Sequence, residues 1–314
     1  MNATTAALIS SFEHMLTVYN GLTNLENLEK IERLEVSTSK GAKIFMRYKD
    51  CLLESSRFTL YVVCKEAKDR SWKKYALLSA PGTAGEIYTE KSIALHREAT
   101  SAGIALKIQE FNAGLEKGYY SPFTFYGDLY QLVGNAEELK EETKLFFAQK
   151  IIDLVHRLHG LNIAHQDIKL ENILVDQDEK GGLNFYVHNF NYATKDETTT
   201  VLCGAEHYRP MDDRISHVYD PKLKDLYSLG VLLFSFFTKK MWRDEQSYIP
   251  IEWKQHPLRY SLLIEEEYKK ILQGHLDQIP KKMILVLQGF LRVHPFDRMG
   301  AGMALRFFKD GLKE

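Results

Sequence analysis

The sequence predicts an α+β protein in two lobes. A small antiparallel β-sheet lobe carries one main helix, and a larger, mainly helical lobe follows. Two observations predict this. Between residues 31 and 66 the chain runs in β-branched and aromatic stretches separated by polar turns. Beyond Gly127 apolar residues recur at helical spacing, and two long stretches are apolar enough to be buried helices.

The elements follow in order. Residues 1–30, which begin "MNATTAALISSFEHML", read as an amphipathic helical extension that docks on the main body. They have no basic leader region and so do not read as a secretory signal. Residues 31–126 form the first lobe. In it "KIFMRYKD" and "RFTLYVVCKE" are strands, "APGTAG" is a loop, "EIYTEKSIALHREATSAG" is the main helix, and "IALKIQEF" and "YYSPFTFY" are two further strands. Residues 127–314 form the second lobe. Its stretch "EETKLFFAQKIIDLVHRLHGLNIAH" sets Leu145, Ala148, Ile151, Ile152, Val155 and Leu158 on one helical face, with acidic residues at its start and His and Gly at its end. "LKDLYSLGVLLFSFF" and "KKMILVLQGFLRV" read as buried helices, and the first is too short to cross a bilayer.

The chain has 314 residues, with 45% hydrophobic and 26% charged residues, which is ordinary for a globular protein. A net charge of −1 excludes a global field that would attract nucleic acid or a membrane surface. Cys51, Cys64 and Cys203 lack metal-ligand spacing and read as free thiols in a reducing compartment, which points to a cytoplasmic protein.

The chemistry concentrates in "AHQDIKLENILV", residues 164–175. A helix ends just before it, and Ile173, Leu174 and Val175 begin a strand after it. Asp167, Lys169 and Asn172 are therefore held between two rigid elements. An Asp so placed accepts a hydroxyl proton, a Lys two residues on balances phosphate charge, and an Asn amide oxygen three further on helps hold a divalent cation. Those are the parts that phosphoryl transfer needs, because its catalysis is mostly positioning and charge neutralisation.

"HQDIKLEN" resembles the catalytic loop of protein kinases, H-R-D-x-x-x-x-N, and its Lys resembles the Ser/Thr version. The resemblance implies a bilobal protein-kinase-like fold over residues 31 to about 310 and transfer of the ATP γ-phosphate to a protein hydroxyl, with Mg²⁺ or Mn²⁺. "YVVCK" resembles V-A-I-K, which implies that Lys65 anchors the ATP phosphates and Val63 lines the adenine pocket, with Leu174 as a further nucleotide contact. Glu90, on the helix that follows, is the implied partner of Lys65. "VLCGAEHYRPMD" resembles the end of an activation segment and "KDLYSLG" a buried helix whose Asp225 binds the catalytic-loop backbone. "HPFDRM" supplies Arg298 to pair with Asp212. The compact, divergent form is also similar to kinases that bacteria inject into host cells, which would put it in the host cytosol.

Three departures set this chain apart. The phosphate-binding loop aligns as Val36, Ser37, Ser39, Ala42 and Ile44, with Gly41 displaced, which implies a loop looser on ATP. Gln166 replaces the Arg that meets a phosphorylated activation segment, which removes the reason for switching there. "HNFNYA" aligns with D-F-G, so Asn189 replaces the metal-binding Asp and Asn191 the Gly, while Phe190 keeps its packing against His165. Asn172 and Asn189 are then the metal ligands, with one carboxylate charge fewer. The chain is expected to be an atypical Ser/Thr kinase, or a pseudokinase that binds and signals without catalysis. From Lys40 to Lys74, ten basic residues face four acidic ones, an excess that suits an inositol phosphate or an anionic lipid headgroup.

Overall fold

The computed structural model describes residues 31–38, 41–48, 53–54, 59–66, 72–81, 89–113, 116–124, 126–135, 139–178, 180–210, 218–242, 259 and 261–310. The expected N-terminal helix, Ser39, Lys68, Arg70 and Asp212 lie outside the described residues.

The small lobe is built on strands β1 (Ile31–Thr38), β2 (Gly41–Tyr48), β3 (Leu53–Glu54), β4 (Thr59–Glu66), β5 (Trp72–Pro81), β6 (Gln109–Ala113) and β7 (Glu116–Pro122). Their order is β2-β1-β6-β7-β5-β4-β3, and β2 also pairs with β4. The sheet thus curls until β2 reaches β4 at Met46↔Cys64 and Arg47↔Val63, which satisfies backbone groups that an open edge would leave exposed. β1 and β2 pair in register from Ile31↔Tyr48 to Thr38↔Gly41. Gly41 starts β2 with φ +97°, a conformation that costs glycine little and other residues much. It is the residue that lets this hairpin close. Lys43 is half-buried, its ammonium donating to Tyr120 Oη at 2.7 Å and Gln109 Oε1 at 3.1 Å. It belongs to the sheet's own polar network and not to a basic outer surface.

β5 is absent from the sequence expectation, which counts Lys73 and Lys74 in a basic run and reads only its end, Ala80 and Pro81, as the start of a loop. It lies between β4 and β7, with Lys65↔Lys73 and Tyr75↔Pro122 among its pairs. A central strand with two neighbouring lysines departs from plain alternation, and so the pattern does not announce it.

Helix α1 (Glu90–Ser101) follows β5. Thr89 caps it by accepting from the Ser92 N–H at 3.1 Å. Its inward face is Ser92, Ile93, Leu95, His96 and Ala99. The expected strand from residue 104 begins only at Gln109, because residues 104–108 serve as a connector. There the Ile104 carbonyl accepts from Val187 N–H at 2.8 Å.

The large lobe contains α2 (Leu129–Asn135), α3 (Glu141–Gly160), a β8–β9 hairpin (Ile173–Gln177 and Leu183–Val187), α4 (Pro221–Thr238), α5 (Ser261–Gln273), α6 (Lys281–Phe290) and α7 (Ala301–Asp310). On α3, Ala148, Ile151, Ile152, Val155 and Leu158 are buried as the spacing predicts, and Leu145 packs at the margin. α4 is buried along nearly its whole length. It starts on an Asp220 cap and Pro221, a residue preorganised for the first helical turn. Phe147 of α3 stacks on Phe236 of α4 at 5.9 Å, and this pair, with Phe185, lies in the hydrophobic core that carries the site.

Candidate active site

The loop between α3 and β8 is held from below by one carboxylate. Asp225, fully buried on α4, accepts the His165 N–H on Oδ2 and the Gln166 N–H on Oδ1, both at 2.7 Å. His159 at the end of α3 adds a contact of 3.1 Å to Oδ2. Two backbone donors and an imidazole fill a buried carboxylate's acceptors, which is the condition for burying it at all.

Above this anchor, Asp167 is itself nearly buried. Its Oδ1 accepts the Ala205 N–H at 2.7 Å, and its Oδ2 accepts Asn172 Nδ2 at 2.9 Å. The Lys169 ammonium lies 3.6 Å from Oδ2. Asn172 Nδ2 also donates to the Asp167 carbonyl at 2.7 Å. The amide of Asn172 is thereby fixed, with its Oδ1 turned toward Asn189, whose Nδ2 lies 3.4 Å away. Asn189 has φ +65°, a left-handed conformation that Asn tolerates better than most residues.

The structure brings together Asp167, Lys169, Asn172 and Asn189. Leu174, half-buried on β8, lies beside them and bridges to Asp128. It does not bring Glu90 to them. Glu90 is the first residue of α1, exposed, and makes no hydrogen bond or ion pair among the described residues. The residue of α1 that turns inward one turn before His96 is Ser92. Lys65 sits on β4, one strand farther from α1 than expected, because β5 is the strand that leads into the helix. The strand-then-helix order on which the Lys65–Glu90 pair is read therefore belongs to β5. Val63 pairs with Tyr75, while Val36, Ser37, Ala42 and Ile44 lie in the β1–β2 pairing, where Ser37 also meets Asn112 of β6.

Two buried histidines flank Phe190, and His188 meets His96 edge-on at 6.1 Å. The Phe190 ring lies 4.8 Å from His96 of α1 and 5.1 Å from His165. Burial holds the His165 imidazole below its ordinary pKa, pushes His96 down to about 4 and His188 to about 3. His165 Nδ1 accepts the Asp167 N–H at 3.3 Å, so its proton sits on Nε2, which donates to the His188 carbonyl at 2.9 Å.

Gln166 forms a neutral hub that sequence reasoning does not foresee. It has φ +65°, and its Nε2 donates to the Tyr192 carbonyl at 2.7 Å. Its Oε1 accepts from Tyr219 Oη at 3.0 Å and weakly from Cys203 Sγ at 3.5 Å. Residues 195–198 are exposed, as expected of a solvated loop. Lys91 and Lys195 pair across this stretch with Asp196 and Glu98 at 3.0 and 2.7 Å.

Asn172 and Asn189 are the donor set for a divalent cation. Asn172 Oδ1 is left with one long contact, and rotation of the Asn189 amide presents a second carbonyl oxygen beside it. Two neutral oxygens suit a cation that arrives with phosphate oxygens of its own. The residues fit Mg²⁺ or Mn²⁺ on a nucleotide in that sense.

Comparisons with known proteins agree with this geometry. A family model described as protein kinase domain matches residues 119–307. Among curated relatives, the Ser/Thr protein kinase gad8 of Schizosaccharomyces pombe is 32% identical over 163 residues, covering 51% of this chain and 26% of that protein. The catalytic subunit 3 of cAMP-dependent protein kinase from Drosophila melanogaster is 29% identical over 164 residues, covering 50% of this chain and 25% of that one. The chain thus spans about a quarter of the length of these relatives. The crystal structure of Rad53 1-466 in complex with AMP-PNP superposes with a TM-score of 0.61, covering 84% of this chain and 64% of the other at 18% identity. The likeness to it is one of fold. With its model matched over more than half of the sequence and its catalytic-loop geometry assembled around Asp167, the chain belongs to the protein kinase family.

Proposed function

We propose that this chain transfers the γ-phosphoryl group of ATP to a Ser or Thr hydroxyl of a protein. The observation that carries this reading is the seating of Asp167, with each carboxylate oxygen already oriented by a fixed donor and Lys169 at 3.6 Å. A base positioned in this way accepts the hydroxyl proton as the oxygen attacks phosphorus. Lys169 offsets charge on the transferred phosphoryl oxygens. Asn172 and Asn189 hold the divalent cation, which neutralises charge on the phosphates when bound. Leu174 contacts the nucleotide from below.

An anion over the small sheet is supported by the basic excess between Lys40 and Lys74, which suits ATP phosphates, an inositol phosphate or an anionic headgroup. Lys65 and the strand positions Val36, Ser37, Ala42 and Ile44 remain part of this reading as candidate nucleotide contacts.

A second reading, a pseudokinase that binds partners without catalysis, is favoured by Glu90. It is exposed at the first position of α1, where the resemblance implies an inward-facing partner for Lys65. The two readings separate in one experiment. Wild type is expected to phosphorylate itself or a generic basic protein with ATP and Mg²⁺ or Mn²⁺, and Asp167→Ala to abolish the signal. Asn189→Asp is expected to raise activity at low Mg²⁺, by up to about tenfold for each ~1.4 kcal/mol of restored cation binding in the transition state. Equal inertness of wild type and Asp167→Ala, with nucleotide still bound, establishes the pseudokinase.

A further inference from the structure

We infer that Lys224 is a positioning residue for Asp167, a buried cation that holds the activation segment in its working shape without a phosphate. The inference rests on the kinase reading for its catalytic part and on geometry for the rest.

Lys224 is 1% exposed, in the first turn of helix α4 beside Asp225. Its ammonium donates to the Cys203 carbonyl at 2.5 Å, lies 3.7 Å from Cys203 Sγ and sits 5.4 Å from the centre of the Tyr219 ring. No carboxylate pairs with it among the described residues. Burying an ammonium on a carbonyl and an aromatic face costs more than burying Met or Leu. Its effect is seen in what it fixes. Cys203 precedes Gly204, which has φ +79° and presses on the Gln166 carbonyl so closely that a Cβ there would lie 2.2 Å from that oxygen. Gly204 precedes Ala205, whose N–H orients Asp167 Oδ1. Pinning the Cys203 carbonyl therefore sets the register of the strained turn that delivers the Ala205 donor.

Lys224 and Asp225 are consecutive residues of one buried helix. Asp225 takes two backbone N–H groups of the catalytic loop, and Lys224 takes a backbone carbonyl of the segment that lies against it. The pair fixes two separate chain segments relative to each other from one rigid base. Nothing in this arrangement calls for a phosphate. Gln166 is neutral and is already bonded to Tyr192 and Tyr219.

The test uses the full chain. Lys224→Met keeps length and removes the charge and donors. Amide hydrogen exchange is expected to quicken at residues 201–206 while α4 keeps its protection, and the melting temperature is not expected to fall. Phosphotransfer by the same variant is expected to lose about tenfold in kcat, the worth of one ~1.4 kcal/mol orienting contact, with KM for ATP unchanged. Wild-type exchange at 201–206 together with wild-type kcat overturns the inference. If the Met variant does not fold, Lys224→Gln decides. Faster exchange confined to 201–206 supports the inference, and wild-type exchange overturns it. A wild type inert toward every substrate defeats the kinase reading alone, since the exchange measurement still decides what Lys224 does.

Discussion

Gly204 is the residue on which the site is most exacting. It combines a left-handed backbone with an approach to the Gln166 carbonyl that leaves no room for a methyl group. The obstructing atom is backbone, held by Asp225 through the Gln166 N–H, and it does not yield as a flexible side chain would. Gly204→Ala is expected to cost roughly 1–3 kcal/mol from the conformation alone, plus the displacement of Ala205 from Asp167. Urea unfolding and phosphotransfer measure both. A variant of wild-type stability and rate shows that the turn has another shape. The same reasoning explains Asn189 and Gln166. Both have φ +65°, so each pays a conformational cost that its hydrogen bonds offset.

Among the elements, α4 carries the most. It supplies Asp225 and Lys224 on one side and packs on α6 by the other. Gly230 marks that crossing. A Cβ there would lie 2.9 Å from Phe290 Cβ and 3.0 Å from Leu291 Cγ. Ala in place of Gly favours a helix by about 1 kcal/mol. Overpacking a tight crossing costs about 1–3 kcal/mol, and a Cβ of Phe290 cannot swing aside as a chain end does. The second effect wins, and Gly230→Ala is expected to lower stability by roughly 1 kcal/mol, read as a shifted urea midpoint at constant slope. A stabilised variant would mean that α4 and α6 are farther apart. Asp225 should also feel the change, because the whole catalytic loop hangs from this helix.

For the molecule as a whole, His96 sits where the two lobes meet. It is buried on α1 of the small lobe, with Nε2 donating to the Leu106 carbonyl at 2.8 Å and its ring against Phe190 of the large lobe. Burial, and then the neighbouring His165 and Arg97, hold its pKa near 4 against an ordinary 6.5. The sign follows from which state takes up the proton. Below pH 6.5 the unfolded chain protonates this histidine and the folded chain does not, so stability present above 6.5 is lost as pH falls toward 4. From pH 7.5 to 5.5 the loss from His96 alone is expected to be about 1.4 kcal/mol. His165 is buried in the same cluster and shifts in the same direction, adding to the slope. Unfolding by urea at the two pH values checks it, with His96→Leu expected to flatten the dependence. An unchanged slope in that variant assigns the acid sensitivity elsewhere.

What the sequence determined by itself is local and periodic. The apolar spacing of α3 and the helix–loop–strand frame around Asp167, Lys169 and Asn172 were legible because each rests on neighbours within a few turns of chain. Replacements at Gln166 and Asn189 were legible for the same reason, since their places are set by their distance from Asp167 and Phe190. The tertiary structure decided whatever depends on which strands lie side by side. Strand β5 enters between β4 and β7 through long-range pairing, so in chain order an unannounced strand stands between Lys65 and α1. Glu90 turns outward because the inward face of α1 is chosen by packing on Phe190, not by the acidic residue itself. Lys224 carried little signal, since it stands beside Lys222 and Asp225 in the first turns of its helix, where a charge is ordinary. Its partner, the carbonyl of Cys203, belongs to a main-chain group that no side-chain pattern encodes.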